Sequence, residues 1–377
     1  MPLLPAEISR YRRHLSLEGF GPAAQERLKS SCALVIGAGG LGCPALLYLA
    51  AAGVGRIVIV DDDRVDASNL QRQVLFETAD QGVLKAEAAA RRLRSLNPLI
   101  AIEPRAERLT RNNALALVRD CDVVIDGSDN FATRYLVNDA CVLADRPLVY
   151  GAIQGFEGQL SVFNWKGGPT YRCLFPEPPP PGSVPTCSEA GVLGVLPGLI
   201  GTAQAAEAIK ILAGIGEPLS GRLLLWNALD MVFISVALVA DPRSRDLREL
   251  PPEGYGRTCE SPARPVASHG DWPEGDEIGT DQLRELIAAG RGLQLIDVRE
   301  LWERQLGSIE PSHHIPIGLL ATGQAGDALA GLDPGAPTVV YCAAGVRSLR
   351  GIAALRERHG FRAALSLRGG YHDWPVT

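Results

Sequence analysis

Two loops carry the residues most able to do chemistry. The first reads Cys342-Ala343-Ala344-Gly345-Val346-Arg347-Ser348 and follows the apolar run Thr338-Val339-Val340-Tyr341. A helical pattern from Leu349 to Arg358 comes next. A thiolate at a strand end, facing a helix N-terminus, has its pKa lowered by the dipole and the loop N–H groups. Arg347 adds positive charge. Such a loop cradles an anion, either sulfur as a persulfide or a phosphate. The second loop, Gly37-Ala38-Gly39-Gly40-Leu41-Gly42, also lies between a strand and a helix. Glycines at 37, 39, 40 and 42 let the backbone approach a phosphate, and the helix presents its N–H groups and positive dipole end. One chain thus pairs a nucleotide loop with a reactive-sulfur loop.

Asp61 ends the strand after the glycine loop, placed for ribose hydroxyls. Asn69 and Arg72 follow in Val65-Asp66-Ala67-Ser68-Asn69-Leu70-Gln71-Arg72-Gln73, and Lys85 opens a helix. Cations at these points suit a triphosphate undergoing adenylyl transfer better than a nicotinamide pyrophosphate. Asp126 and Asp129, at the carboxyl end of a strand, are candidates for Mg²⁺, which takes few carboxylates and several waters. Read one by one, Arg72 and Lys85 are also consistent with solvated surface charges and Asp126 with a turn residue.

The elements that must position these loops alternate strand and helix over the first 150 or so residues, which argues for a parallel sheet with crossover helices. Expected strands are Ser31 to Ile36, Arg56 to Val60, Cys121 to Ile125 and Pro147 to Tyr150; expected helices are Gly42 to Ala52 and Leu84 to Leu96. Short strands follow at Leu160 to Asn164 and Leu223 to Trp226. Between them Pro176, Pro178, Pro179, Pro180, Pro181 and Pro185 exclude a helix or a central strand, so an exposed crossing segment is expected. Residues 1–250 form one domain and 251–275, rich in Pro, Gly and Ser, a linker. Residues 276–377 form a second α/β domain, with helices Thr280 to Ala289, Leu301 to Gln305 and Ser348 to His359 and strands Leu293 to Asp297 and Thr338 to Tyr341.

The net charge of -6 leaves no basic footprint for nucleic acid and disfavours an anionic membrane surface. The longest apolar stretch, Val192 to Gly216, contains Pro197, Gln204, Glu207 and Lys210, so a buried helix or helix pair is expected rather than a membrane span. No signal peptide is visible, and eight cysteines without framework spacing point to a reduced, cytoplasmic protein.

Residues 9–240 resemble the MoeB/ThiF family of adenylating enzymes, relatives of ubiquitin-activating enzymes. The resemblance is carried by Arg10-Tyr11-Arg12-Arg13, Gly37 to Gly42, Asp61 to Gln73, Lys85, Asp126 to Asn130, Gly158-Gln159 and Cys187-Ser188-Glu189-Ala190-Gly191-Val192. It implies a Rossmann-like adenylation fold that binds ATP and Mg²⁺. It implies adenylation of the C-terminal Gly-Gly of a small ubiquitin-like sulfur carrier. On this resemblance Asp61 binds ribose, Asn69, Arg72 and Lys85 bind phosphates, Asn130 belongs to the nucleotide site, and Asp129 holds the metal. Arg13 reaches the phosphates of the opposite protomer of a homodimer, and the proline-rich loop covers the carrier tail. Residues 276–377 are similar to rhodanese domains through Leu295-Ile296-Asp297-Val298-Arg299-Glu300, the Cys342 loop and Gly369-Gly370-Tyr371-His372-Asp373-Trp374-Pro375. Four residues separate Cys342 from Arg347, the rhodanese count, whereas phosphatases of related logic have five. His313 and His314 stand where the family's usual His is displaced, and are expected to pack rather than to react.

The expected activity is a fused adenylyltransferase–sulfurtransferase. A persulfide on Cys342, supplied by a cysteine desulfurase or other donor such as thiosulfate, displaces AMP from the carrier adenylate. Cys187 then either cleaves the acyl persulfide, leaving a Cys187–Cys342 disulfide, or acts as a thioester-forming cysteine. The alternative is a non-catalytic nucleotide-binding and rhodanese scaffold module. Many relatives hold structural zinc with two Cys-x-x-Cys pairs; here Thr170 and Cys173 stand at the first and Cys259 is alone, so zinc is expected to be absent.

Overall fold

The computed structural model describes residues 2–179, 191–251, 255, 275–290 and 292–375. The chain divides into two compact units, Met1–Thr258 and Cys259–Thr377.

The first unit holds an eight-stranded sheet. Its strands are β1 (Cys32–Ile36), β2 (Arg56–Val60), β3 (Ala101–Arg105), β4 (Val123–Asp126), β5 (Leu148–Gln154), β6 (Glu157–Phe163), β7 (Arg222–Asn227) and β8 (Val232–Ala237). The spatial order is β3-β2-β1-β4-β5-β6-β7-β8. The first five pair in parallel and the rest antiparallel. β1 is an uninterrupted apolar run because both its faces are covered. Ala33 and Val35 enter one core with Leu46, Leu49, Ala205 and Ala208. Leu34 and Ile36 enter the other with Leu136, Val137 and Ala140. This is the two-residue period of a strand.

Chain order reverses beside β1, which lies between β2 and β4. A crevice opens there at the carboxyl ends of the strands. The register makes the three strands end together, with Ile36 opposite both Val60 and Asp126. Gly37, Asp61 and Gly127 therefore leave the sheet side by side. β3 was not expected from the sequence, because Ala-Ile-Glu-Pro-Arg has no apolar run. It is the sheet's edge, where Pro104 is tolerated.

The apolar stretch forms one helix, Val195–Ala213, not a pair. Its length and composition would suffice to cross a membrane. Its polar groups are instead tied into the protein: Gln204 Nε2 donates to Asp126 O at 2.7 Å, and Glu207 accepts from Leu219 N.

The second unit is a parallel sheet of β9 (Glu277–Ile278), β10 (Gln294–Asp297), β11 (His313–His314), β12 (Thr338–Tyr341) and β13 (Ala364–Leu367). Its order, β11-β10-β12-β13-β9, places β12 at the centre. Cys342 directly follows it. His313 and His314 form the edge strand, and His314 Nε2 bonds Arg299 O at 2.8 Å. The helix after the loop begins at Val346, two residues before the expected Ser348.

Candidate functional site

The crevice above β1 is a cavity of about 310 Å³. Gly37, Gly39 and Gly40 form its floor, and Asp61, Arg72, Lys85, Asp129 and Asn130 point into it. The glycines are dictated by crowding. A Cβ on Gly42 would lie 1.9 Å from Gly37 O, and Gly37 itself has φ +86°. Helix Gly42–Ala52 starts at this floor, so its N-terminus faces whatever occupies the cavity.

Asp61 is fixed by two backbone donors, Ala38 N at 2.7 Å and Asp63 N at 2.9 Å. Burial raises its pKa, and the Ala38 N–H and the Lys85 charge oppose that rise. Lys85 is itself buried and pairs with Asp63 at 2.8 Å, a partner the sequence did not suggest. Arg72 donates to Ser68 O at 3.0 Å. Asn130 caps helix Phe131–Ala144, accepting from Thr133 N, and still faces the cavity.

Asp126 and Asp129 separate sharply. Asp126 is 1% exposed and turned into the protein, where it accepts from Ser128 N and Oγ at 2.9 and 2.6 Å. Burial raises its pKa, against the nearby Arg134 charge. Of the two readings the sequence left open for it, the structure favours the turn residue of the strand end, because its carboxylate is buried and turned away from the cavity. Asp129 is exposed and lines the cavity, free to offer its carboxylate. Asn69 and Arg13 are not among the residues lining the cavity. Asn69 sits on the turn before Arg72, and Arg13 is exposed on the short helix Arg12–Leu15.

A second cavity of about 380 Å³ shares Asp129, Asn130, Arg134 and Ile153 with the first. Aromatic rings from Phe131, Tyr135, Tyr150, Tyr171 and Phe175 form its walls. Arg134 was not anticipated. Its guanidinium lies 5.7 and 5.8 Å from the centres of the Phe131 and Tyr150 rings and donates to Ser128 O. The signal was present in Phe131-Ala132-Thr133-Arg134-Tyr135, where an Arg falls one turn into the helix that opens at Asn130. Cys187 lies outside the described residues, as do Pro180, Pro181 and Pro185.

In the second unit Cys342 is 1% exposed. Its sulfur accepts from Gly345 N at 3.2 Å and lies 3.5 Å from Ser348 Oγ. Gly345 has φ +94° and starts helix Val346–Arg358, so the amide aimed at the sulfur belongs to the helix N-terminus. The chain's end braces the loop. Tyr371 N donates to Cys342 O at 2.7 Å and His372 N to Ala343 O at 2.9 Å. A side chain on Gly370 would meet Cys342 O at 2.4 Å, which accounts for the Gly-Gly of this segment. Both terminal nitrogens of Arg347 donate to Glu303, at 2.6 and 2.5 Å. The Arg347 charge is thus shared with a carboxylate that the sequence reading left out.

Where relatives are expected to hold zinc, Cys173 is held by hydrogen bonds. Its sulfur accepts from Thr170 N and Asp241 N, both at 3.3 Å, and contacts Ser244 Oγ at 3.2 Å. Burial raises the thiol pKa, but these donors, Ser244 foremost, bring it below the ordinary value. Among the described residues no group of three or more His, Cys, Asp or Glu could hold a metal. Cys259 lies outside them.

The glycine floor and its flanking charges lie within a stretch that matches a known family model. Residues 11–246 match the ThiF family, and residues 279–376 match the rhodanese-like domain. The chain belongs to the ThiF family. The chain is similar to several known proteins over most of its length or over its first unit. One is a probable adenylyltransferase/sulfurtransferase MoeZ of Mycobacterium tuberculosis, 46% identical over 98% of this chain and 93% of that protein. Another is the adenylyltransferase and sulfurtransferase MOCS3-1 of Zea mays, 41% identical over 98% of this chain and 82% of its own. The sulfur carrier protein adenylyltransferase of Thermus thermophilus is 55% identical over 63% of this chain and 89% of its own. Among solved structures, Escherichia coli MccB with a MccA peptide aligns at TM-score 0.56 and 23% identity, over 62% of this chain and 73% of that one, and supports the fold of the ThiF-family unit.

Proposed function

We propose that this ThiF-family chain adenylates the C-terminal glycine of a small ubiquitin-like sulfur carrier with ATP, and then sulfurates it from a persulfide on Cys342. The observation that carries this reading is the meeting of two cavities at Asp129 and Arg134. The polar cavity suits a nucleotide triphosphate. The aromatic one suits an extended carrier tail whose carboxylate arrives at their junction. That carboxylate attacks the α-phosphorus, the bond to the pyrophosphate oxygen breaks, and an acyl adenylate forms.

Arg72 and Lys85 offset charge on the phosphates, the helix N-terminus at Gly42 adds backbone donors, and Asp61 takes the ribose. The exposed carboxylate of Asp129 fits Mg²⁺, which when bound would neutralise triphosphate charge. Arg13, exposed and away from its own cavity, is suited to reach the phosphates of a partner protomer in a homodimer. In the second half the outer sulfur of the Cys342 persulfide attacks the acyl carbon, and AMP leaves. Cys187 is proposed to resolve the resulting acyl persulfide, its thiolate attacking the Cys342 sulfur and releasing thiocarboxylate. A cellular thiol reductant must then restore both cysteines. A reduced, ATP-supplied compartment, the cytoplasm, is the proposed location.

ATP–pyrophosphate exchange that depends on a Gly-Gly-ending carrier tests the first half. A scaffold would show no exchange. Carriers of molybdopterin, thiamine, cysteine, tRNA-thiolation and siderophore pathways, assayed side by side, would assign the pathway.

A further inference from the structure

The Arg347–Glu303 pair ties the sulfur loop to helix Leu301–Arg304, and nothing in the reaction proposed above uses it. The side chains of Arg347 and Glu303 are 14% and 11% exposed, and the contact is bidentate. Glu303 is anchored from behind, accepting from Glu300 N at 2.9 Å. Burial raises the Glu303 pKa, but Arg347 and the Glu300 amide outweigh it, so the carboxylate is held below its usual range and charged. Between Cys342 and Arg347 the loop offers only Ala343, Ala344, Gly345 and Val346. No Lys, Arg or His lies among them. The one cation of the loop is therefore matched by a fixed anion, and the rim beside the thiol is small and apolar. Arg350 is the next cation along the helix, exposed one turn further on.

We infer that Glu303 is a specificity-determining residue of sulfur loading: it sets the loop against dianionic donors such as thiosulfate and in favour of uncharged carriers of a persulfide. The inference rests on the reading of Cys342 as the persulfide-forming residue. Both donors follow the same balanced step. The Cys342 thiolate attacks the outer sulfur, the donor S–S bond breaks, and the electron pair leaves on the inner group, as a thiolate from a persulfide or as sulfite from thiosulfate. The difference lies in the spectator charge. Thiosulfate brings a sulfonate whose charge needs an uncommitted cation beside the thiol. A persulfide on a neutral thiol compound brings none.

The test uses the full chain and its E303Q variant, which keeps the shape and a hydrogen-bond acceptor for Arg347 while removing the anion. Two donors are compared, thiosulfate and the persulfide of N-acetylcysteine amide. Loading is read as one added sulfur on Cys342 by intact mass and as thiocyanate released by cyanide. The wild-type chain should load from the persulfide far better than from thiosulfate. E303Q should lower the thiosulfate KM about tenfold, the scale of one charge-assisted hydrogen bond, and leave the persulfide KM within about twofold. The gain should shrink as ionic strength rises, because it is electrostatic. Equal use of both donors by the wild-type chain overturns the inference while leaving Cys342 as the sulfur acceptor. Loss of both donors in E303Q also overturns it and makes Glu303 a structural support of the loop. Failure of the wild-type chain to load from both donors would instead overturn the reading of Cys342 itself.

Discussion

The decisive residues are those that the fold turns toward a cavity. Asp126 and Asp129 are three positions apart at one strand end and look equivalent in the sequence. One is buried under Ser128 and the other open to the nucleotide cavity. Asp129→Ala should therefore reduce carrier-dependent pyrophosphate exchange by about a hundredfold or more, the usual cost of losing such charge stabilisation. Near-normal exchange would remove Asp129 from the mechanism. Asp126→Ala should act differently, lowering thermal stability, because it strips the Ser128 N–H and hydroxyl of their acceptor. Glu303 gives a prediction in pH. Its folded pKa is depressed, so the pair contributes stability above the unfolded value, about 4.3, and loses it as pH falls through the folded value. Thermal unfolding of the second unit should show no loss from this pair above about pH 5 and a falling midpoint below it. A midpoint that rises on acidification would contradict the assignment.

At the scale of elements, two segments held by backbone donors carry predictions. The Gly370 turn is held against the Cys342 loop by paired backbone bonds. Gly370→Ala, at φ +60° and with its new carbon 2.4 Å from Cys342 O, should displace the loop. Sulfur loading of Cys342 should fall sharply while pyrophosphate exchange stays normal. Unchanged loading would show that the brace is dispensable. The segment around Cys173 is the second case. Backbone amides and Ser244 surround the sulfur where relatives are expected to place metal. Purified protein should hold well under one zinc per chain and keep its melting temperature in chelator. Stoichiometric zinc by elemental analysis would show that residues outside the described set complete a site.

For the whole molecule the prediction concerns division of labour between the two units. Cys342→Ala should lose persulfide loading yet keep adenylation, because the nucleotide cavity is built wholly from the first unit. Cys187→Ala should keep both steps and fail at release, so the carrier accumulates as an acyl persulfide on Cys342. Intact-mass spectrometry with ATP, carrier and a persulfide donor distinguishes these outcomes. Wild-type thiocarboxylate formation by Cys342→Ala with a protein persulfide as sole donor would sink the relay.

The sequence by itself determined the elements with strong periodic signals. β1, β2 and helix Gly42–Ala52 are apolar runs or Ala-rich faces bounded on at least one side by Gly or Asp, β12 is an apolar run between Pro337 and Cys342, and local chemistry suffices to place them. It also determined the glycine loop and the Cys342 loop, since each needs particular residues at fixed short spacing. Short strands at edges, β3 with its Pro104 and β11 with His313 and His314, left no such signal, because pairing with a neighbour and not their own pattern makes them strands. Only the tertiary structure decided which charges are spent internally. Lys85 with Asp63, Arg347 with Glu303 and Asp126 with Ser128 are pairs formed across turns and between elements. Linear spacing cannot reveal them, because a side chain's direction depends on the register of the strand it leaves and on what packs over it.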